Sequence, residues 1–228
     1  MSATSLARDS GLEWRARRSL GSSGDAIYAM VVDAIRSRRI AGGRLVDVGC
    51  GHGALWRLLR GEFSSYCGVD AVRYDGFPSD GQFHCADLDQ PDWADEVGTA
   101  GLVAAIETIE HLENPWAFMR ALVQIATPGA WIVVTTPNQL SWLSLGTLLI
   151  KHRFSAFTDA EYPVHRTALL ESDLRRLAGE CRLEDVAIEY SHSGRVPKTP
   201  WHYPRAFARM WSHALSDNVM VIGRKPRD

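Results

Sequence analysis

Cysteine is scarce in this 228-residue chain: Cys50, Cys67, Cys85 and Cys181 are the only four, with no CxxC pair and no metal-type spacing. That excludes a disulfide framework and predicts a reduced, cytoplasmic protein. Long hydrophobic runs are missing too. The longest apolar segment, Leu140 to Ile150, is broken by Ser141, Ser144, Gly146 and Thr147. It is too short for a transmembrane segment, although 140–157 offers peripheral contact with a membrane. The first twenty residues hold Arg8, Arg15, Arg17 and Arg18 without an apolar stretch, which argues against a secretory signal. Neither sign of charge dominates: 25 Lys and Arg against 27 Asp and Glu leave a net charge of −2, so DNA is not an expected partner. Internal repeats and low-complexity tracts are absent, and nothing in the sequence sets an oligomeric state.

What is present is the composition of a globular domain, 46% hydrophobic and 23% charged. Residues 1–21 read as a polar, partly ordered lead-in. Ile27, Met30, Val31, Ala34 and Ile35 fall at helical spacing, and this amphipathic helix closes near Gly42 and Gly43. Strands and helices then alternate. Strands are expected at Arg44–Val48, Tyr66–Val69, Gln82–Ala86, Leu102–Ile106 and Trp131–Thr136, with helices at Ala54–Arg60 and, behind the Asn114-Pro115 start signal, through Ala126. Such alternation implies parallel pairing in a doubly wound α/β sheet. The end of the chain differs: a helix from about Ser172 to Cys181 leads to a strand at Glu184–Tyr190, and a last strand at Asn218–Gly223 lacks a crossover helix. Two strands joined this way can pair antiparallel.

Between the first strand and the next helix stands Val46-Asp47-Val48-Gly49-Cys50-Gly51-His52-Gly53. Glycines at such a turn let the backbone bend sharply and approach a ligand closely. Gly49, Gly51 and Ala54 also fit the dinucleotide-binding pattern, and Asp70 at the end of the second strand suits a ribose diol in either case. Three features favour a different ligand. Asp47 would repel a pyrophosphate but suits a cationic amino-acid moiety. Asp87, followed by Leu88, can accept from an adenine amino group. The fourth strand runs into Glu107-Thr108-Ile109-Glu110-His111-Leu112-Glu113-Asn114-Pro115.

With the Val46–Gly53 loop, Gly68-Val69-Asp70, Ala86-Asp87-Leu88, Ile106–Pro115 and Val133–Asn138 together, the chain resembles the class I methyltransferases, in particular the broad group that includes ubiquinone-biosynthesis O-methyltransferases. The resemblance covers about Gly42 to Asn138 and returns at Glu161–Cys181 and Asn218–Lys225. Two departures are Gly101, where an acidic residue often opens the fourth strand, and Ala126-Thr127-Pro128-Gly129-Ala130 in place of the usual LKPGG turn. The resemblance implies a single Rossmann-like domain over 22–228, a seven-stranded sheet with the last strand antiparallel, and S-adenosyl-L-methionine as cofactor. The expected cofactor contacts are Asp47, Gly49, Cys50, Gly51, Gly53, Asp70, Ala71, Asp87, Leu88 and Glu107.

The donor's methyl is already activated, so the protein has to align an acceptor, exclude water and, for a hydroxyl, remove a proton. A neutral imidazole suits that last task near pH 7. His111, after the fourth strand, and His165, before the helix preceding strand six, are the candidate catalytic residues, working without a metal. An alternative uses the same positions: Glu107, Glu110, His111 and His165 resemble the metal-binding set of small-RNA 3′-terminal 2′-O-methyltransferases. A third reading is a cofactor-binding module without catalysis, and a nicotinamide-dependent reductase is the remotest. For the acceptor, a small molecule or a glycan, two insertions look long enough to build a wall: about 139–157 and 191–217. The second carries Arg195, Lys198, Arg205 and Arg209 among aromatics, which suits an anionic acceptor. Gly194–Pro197, His202–Pro204 and Ser216–Asn218 are similar to methyltransferases of bacterial surface-glycan synthesis. Failing those insertions, the acceptor side would fall to Trp14–Tyr28.

Overall fold

The computed structural model describes residues 3–90 and 92–227. Seven strands form one sheet: β1 Arg44–Val48, β2 Ser65–Asp70, β3 Gln82–Cys85, β4 Ala100–Ala105, β5 Ala126–Pro137, β6 Glu184–Tyr190 and β7 Asn218–Arg224. Their order is β3-β2-β1-β4-β5-β7-β6. β7 runs antiparallel to both its neighbours, Pro137 facing Asn218 and Tyr190 facing Val219, while the other pairs formed by β1 to β5 are parallel. The doubly wound sheet with an antiparallel last strand is thus the observed architecture.

Period-2 alternation divides the core. Val46, Val48, Val103, Ala105 and Val134 pack on one face, beneath α4 (Trp93–Val97), α5 (Pro115–Ile125) and α7 (Glu171–Glu180). Leu45, Leu102, Ala104 and Val133 pack on the other, against α2 (Asp25–Ser37) and α3 (Ala54–Leu59). Local chemistry sets the helix starts. The Asn114 side-chain oxygen accepts from the Ala117 N–H at 2.9 Å, with Pro115 at the first helical position.

Four helices were not expected from the sequence. Two are α4 and α1 (Ala3–Arg18), the latter replacing the partly ordered lead-in; Arg15, Arg17 and Arg18 in its last turn complement the carbonyl end of the helix. The other two, α6 (Trp142–Lys151) and α8 (Arg205–Met210), lie in the two insertions. Ser141 caps α6, its hydroxyl accepting from the Ser144 N–H at 3.2 Å. Both insertions leave the sheet at the carboxyl end of β5, where the Asn138 amide donates to the carbonyls of His213 and Ser216 at 2.7 and 2.8 Å. No described helix is long and apolar enough to cross a membrane.

Candidate functional site

Parallel strands direct their carboxyl ends, and the loops that follow, toward one edge of the sheet, and an open α/β sheet binds its ligands there. A cavity of about 440 Å³ occupies that edge, within the range of small-molecule sites. Gly49 follows β1, Asp70 ends β2 and Ala71 follows it, Asp87, Leu88 and Asp89 come after β3, and Ile106, Glu107, Thr108, Glu110 and His111 after β4. Its roof is Leu12 to Tyr28 together with Glu161, Val164 and His165.

The glycine loop is held from two sides. Gly49 has φ +73°, and a Cβ there would overlap the side chain of Thr108, whose hydroxyl donates to the Val48 carbonyl at 3.2 Å. Gly51 has φ +51°, and a Cβ there would overlap the Gly21 carbonyl. That carbonyl accepts the His52 N–H at 3.0 Å, which clips the roof to the loop. The Gly51 N–H donates to an Asp70 carboxylate oxygen at 2.9 Å. Asp70 therefore lines the cavity already oriented; burial raises its pKa, against the lowering pull of neighbouring backbone N–H groups.

Glu107 has φ +49°, a left-handed conformation that a non-glycine residue keeps only when its surroundings enforce it. Those surroundings are visible. Its N–H donates to the Thr135 hydroxyl at 2.9 Å, the same hydroxyl donates to its carboxylate at 2.9 Å, and the Asn218 amide donates to the other oxygen at 2.8 Å. Glu107 thus joins β4, β5 and β7. Glu110 is the opposite case: it is fully buried, and neither carboxylate oxygen has a well-formed hydrogen bond, only the weaker pull of its own backbone N–H and the Thr136 hydroxyl. Burial raises the pKa of both carboxyls.

The two imidazoles meet with ring centroids 4.9 Å apart. His111 Nδ1 lies 2.9 Å from the Val164 carbonyl, and His165 Nδ1 lies 2.5 Å from the Ala156 carbonyl. A carbonyl only accepts, so in each neutral ring Nδ1 carries the proton and Nε2 keeps its lone pair. Desolvation is the largest influence on both rings and lowers their pKa values, which favours the neutral form near pH 7. One ligand-type atom each from Glu110, His111 and His165 lies within 4.8 Å of the others.

Of the residues expected from the sequence to contact a cofactor, Gly49, Asp70, Ala71, Asp87, Leu88 and Glu107 line the cavity, as do both candidate catalytic histidines. Cys50, Gly51 and Gly53 shape the loop without lining it. Asp47 lies elsewhere than expected. It is 3% exposed, beneath the loop, and accepts from the Tyr66 hydroxyl at 3.1 Å; burial pushes its pKa up to about 7.

Among the described residues, none from 139–157 or 191–217 lines the cavity. Arg195 is paired with Asp217 at 2.8 Å. The nearest approach is indirect, through Ala156 and through Phe157, whose ring centroid is 5.4 Å from that of His165. Sequence reading missed Asp89 and Glu161, and held Arg15 and Tyr28 only within the fallback stretch Trp14–Tyr28. Tyr28 had left one signal, as an aromatic hydroxyl beside the apolar stripe of α2.

A family profile described as a methyltransferase domain matches residues 25–190. The ubiquinone biosynthesis O-methyltransferase of Idiomarina loihiensis is 27% identical over 157 residues, 64% of this chain and 64% of that protein. The chloroplastic tocopherol O-methyltransferase of Arabidopsis thaliana is 32% identical over 122 residues, 48% of this chain and 34% of that protein. The chain therefore matches less than two thirds of the length of either relative. Among solved structures, a SAM-dependent methyltransferase from Archaeoglobus fulgidus aligns with TM-score 0.62 at 16% identity, covering 87% of this chain and 94% of its own. The N-methyltransferase NodS from Bradyrhizobium japonicum aligns at 0.55 and 14%, covering 89% and 98%. At these identities the structural likeness concerns the fold.

Proposed function

This chain belongs to the class I S-adenosylmethionine-dependent methyltransferase family, and from that premise we propose that it methylates an oxygen of a small-molecule or glycan acceptor, with His111 and His165 accepting the proton. The observation that carries this reading is the pair of imidazoles in the cavity wall, both tied through Nδ1 and both left basic at Nε2.

The residues present fit S-adenosylmethionine. Gly49 and Gly51 leave no room for a side chain at the loop, and the walls carry Asp70, Asp87, Asp89, Glu107 and Glu161. An acidic lining complements a cationic ligand and opposes a pyrophosphate, which separates this cavity from a nicotinamide site. When bound, the cofactor supplies a methyl on a sulfonium, activated for in-line displacement. Asp70 would hold the ribose hydroxyls, and Asp87 with Leu88 the adenine edge. The roof of residues 12–28 excludes water, so the acceptor is aligned in a confined space. Arg15 lines this roof and acts electrostatically on His111. It takes over the anion-recognising role first sought in Arg195 and Arg205, and an acceptor bearing a carboxylate or phosphate would meet it.

A second reading rests on Glu110. A fully buried carboxylate without a well-formed hydrogen bond, beside two imidazoles whose Nδ1 atoms are fixed by carbonyls, has the chemistry of a divalent-cation site with an ordered outer shell. Glu110, His111 and His165 would hold the ion, and Glu107, with both carboxylate oxygens engaged, would brace the cluster. The ion would supply Lewis-acid activation of the acceptor hydroxyl.

One assay separates the two readings. The full chain is incubated with labelled S-adenosylmethionine and a panel of hydroxylated acids, sugars and a short RNA, with and without a chelator. The expected result is an O-methylated product that still forms after chelation. Loss of transfer that added divalent cation restores moves the mechanism to the second reading. Cofactor binding without transfer to any acceptor overturns both and leaves a binding module.

A further inference from the structure

α6 is built inside out. A helix docked on a sheet buries its apolar stripe, yet the one residue α6 buries is Ser144. Trp142 is 54% exposed, Leu149 80% and Ile150 75%. α8 repeats the inversion on a smaller scale, burying Ala208 while Phe207, Met210 and the adjoining Trp211 face outward. The two segments that carry these helices are in contact. The Trp142 N–H donates to the Ala214 carbonyl at 2.8 Å, and the Trp142 ring meets Tyr203 edge-on at 6.5 Å.

The charge within these two stretches is of one sign, with Arg153 and Arg195 paired to Asp159 and Asp217 just beyond them. No Asp or Glu occurs from Gln139 to Thr158 or from Ser191 to Ser216. Within those stretches Lys151, Lys198, Arg205 and Arg209 have no acidic partner within 4.0 Å among the described residues.

We infer that this face docks on an anionic lipid surface. Trp142, Leu149, Ile150 and Trp211 would enter the headgroup boundary, and Lys151, Lys198, Arg205 and Arg209 would meet the lipid phosphates. Exposed tryptophan and aliphatic side chains ringed by cations are the chemistry of an interfacial element. A second copy of the chain fits the face less well: a two-fold contact is self-complementary, so it would set the same unpaired cations against each other. Phe157 and Ala156, which follow α6, touch His165 in the cavity wall. Docking therefore sets the cavity beside the bilayer. This inference does not depend on which acceptor is methylated or on whether a metal takes part.

The test is cosedimentation of the full chain with vesicles of phosphatidylcholine alone or mixed with phosphatidylglycerol. Sedimentation with the acidic vesicles, weakened by added salt, is expected. The Arg205→Glu/Arg209→Glu pair should lower that partition roughly tenfold or more, and Leu149→Asp/Ile150→Asp should abolish it. These positions are exposed and outside the cavity, so melting temperature and calorimetric affinity for S-adenosylmethionine serve as folding controls and should not move. Failure to sediment with either vesicle, or equal sedimentation with both, overturns the inference. So does a concentration-dependent dimer that Leu149→Asp/Ile150→Asp dissociates while vesicles bind neither form.

Discussion

His111→Ala is expected to lower kcat for methyl transfer by roughly 10²–10⁴-fold, the usual contribution of a positioned general base, and to leave S-adenosylmethionine affinity unchanged. The ring is more confined than that of His165, and its Nδ1 is held by the Val164 carbonyl at 2.9 Å. Removing it takes away the basic nitrogen that the local structure orients. His165→Ala should cost less, because the remaining ring keeps a lone pair in the same wall. The pH profile carries an independent sign. Desolvation penalises the charged imidazolium and lowers both pKa values from 6.5. The basic form therefore already predominates at neutral pH. In the wild type kcat/KM should rise with pH through a value below 6.5 and then level off. Full activity in both alanine variants, or a profile that rises only above pH 7, contradicts the assignment.

Asp70→Ala is expected to weaken S-adenosylmethionine binding by roughly 2–4 kcal/mol, the size of a pair of charge-assisted hydrogen bonds, or about 30- to 1,000-fold in affinity. Two contributions add. The carboxylate is the group placed to accept from a ribose diol, and it also accepts from the Gly51 N–H at 2.9 Å. Asp70→Asn separates them, because its amide oxygen still accepts from Gly51 while the negative charge is gone; an intermediate affinity is expected. Calorimetry is the measurement, with the melting temperature as a control for folding. Unchanged affinity in a folded Asp70→Ala protein removes the ribose assignment.

The strands were legible because buried parallel strands are short apolar runs with sharp boundaries. Glu184–Tyr190 was placed to the residue, and the missing crossover before Asn218 already indicated an antiparallel β7. The floor of the cavity followed from chain order, since Asp70 and Asp87 stand where strands end. The roof was legible only as the fallback Trp14–Tyr28, for a physical reason. Its ties are backbone carbonyls, Gly21 to the His52 N–H and Ala16 to the Tyr74 hydroxyl, and a carbonyl has no signature in sequence. The outward direction of the apolar residues of α6 was not legible, because hydrophobicity measures the preference for leaving water and not the direction in which a side chain leaves it.

The antiparallel insertion of β7 also sets an order of events. Asn218 opens that strand and donates to Glu107, which lines the cavity more than a hundred residues earlier in the chain. β7 lies between β5 and β6, so neither neighbour has its full set of ladder partners before β7 is in place. During synthesis, the Gly49–Gly53 loop, Asp70 and Asp87 can all emerge and fold locally while Glu107 still lacks one of its two braces. The cavity wall is therefore completed by a strand that emerges late. A nascent protein halted before residue 218 holds most of the cavity lining, with Glu107 braced by Thr135 and not yet by Asn218.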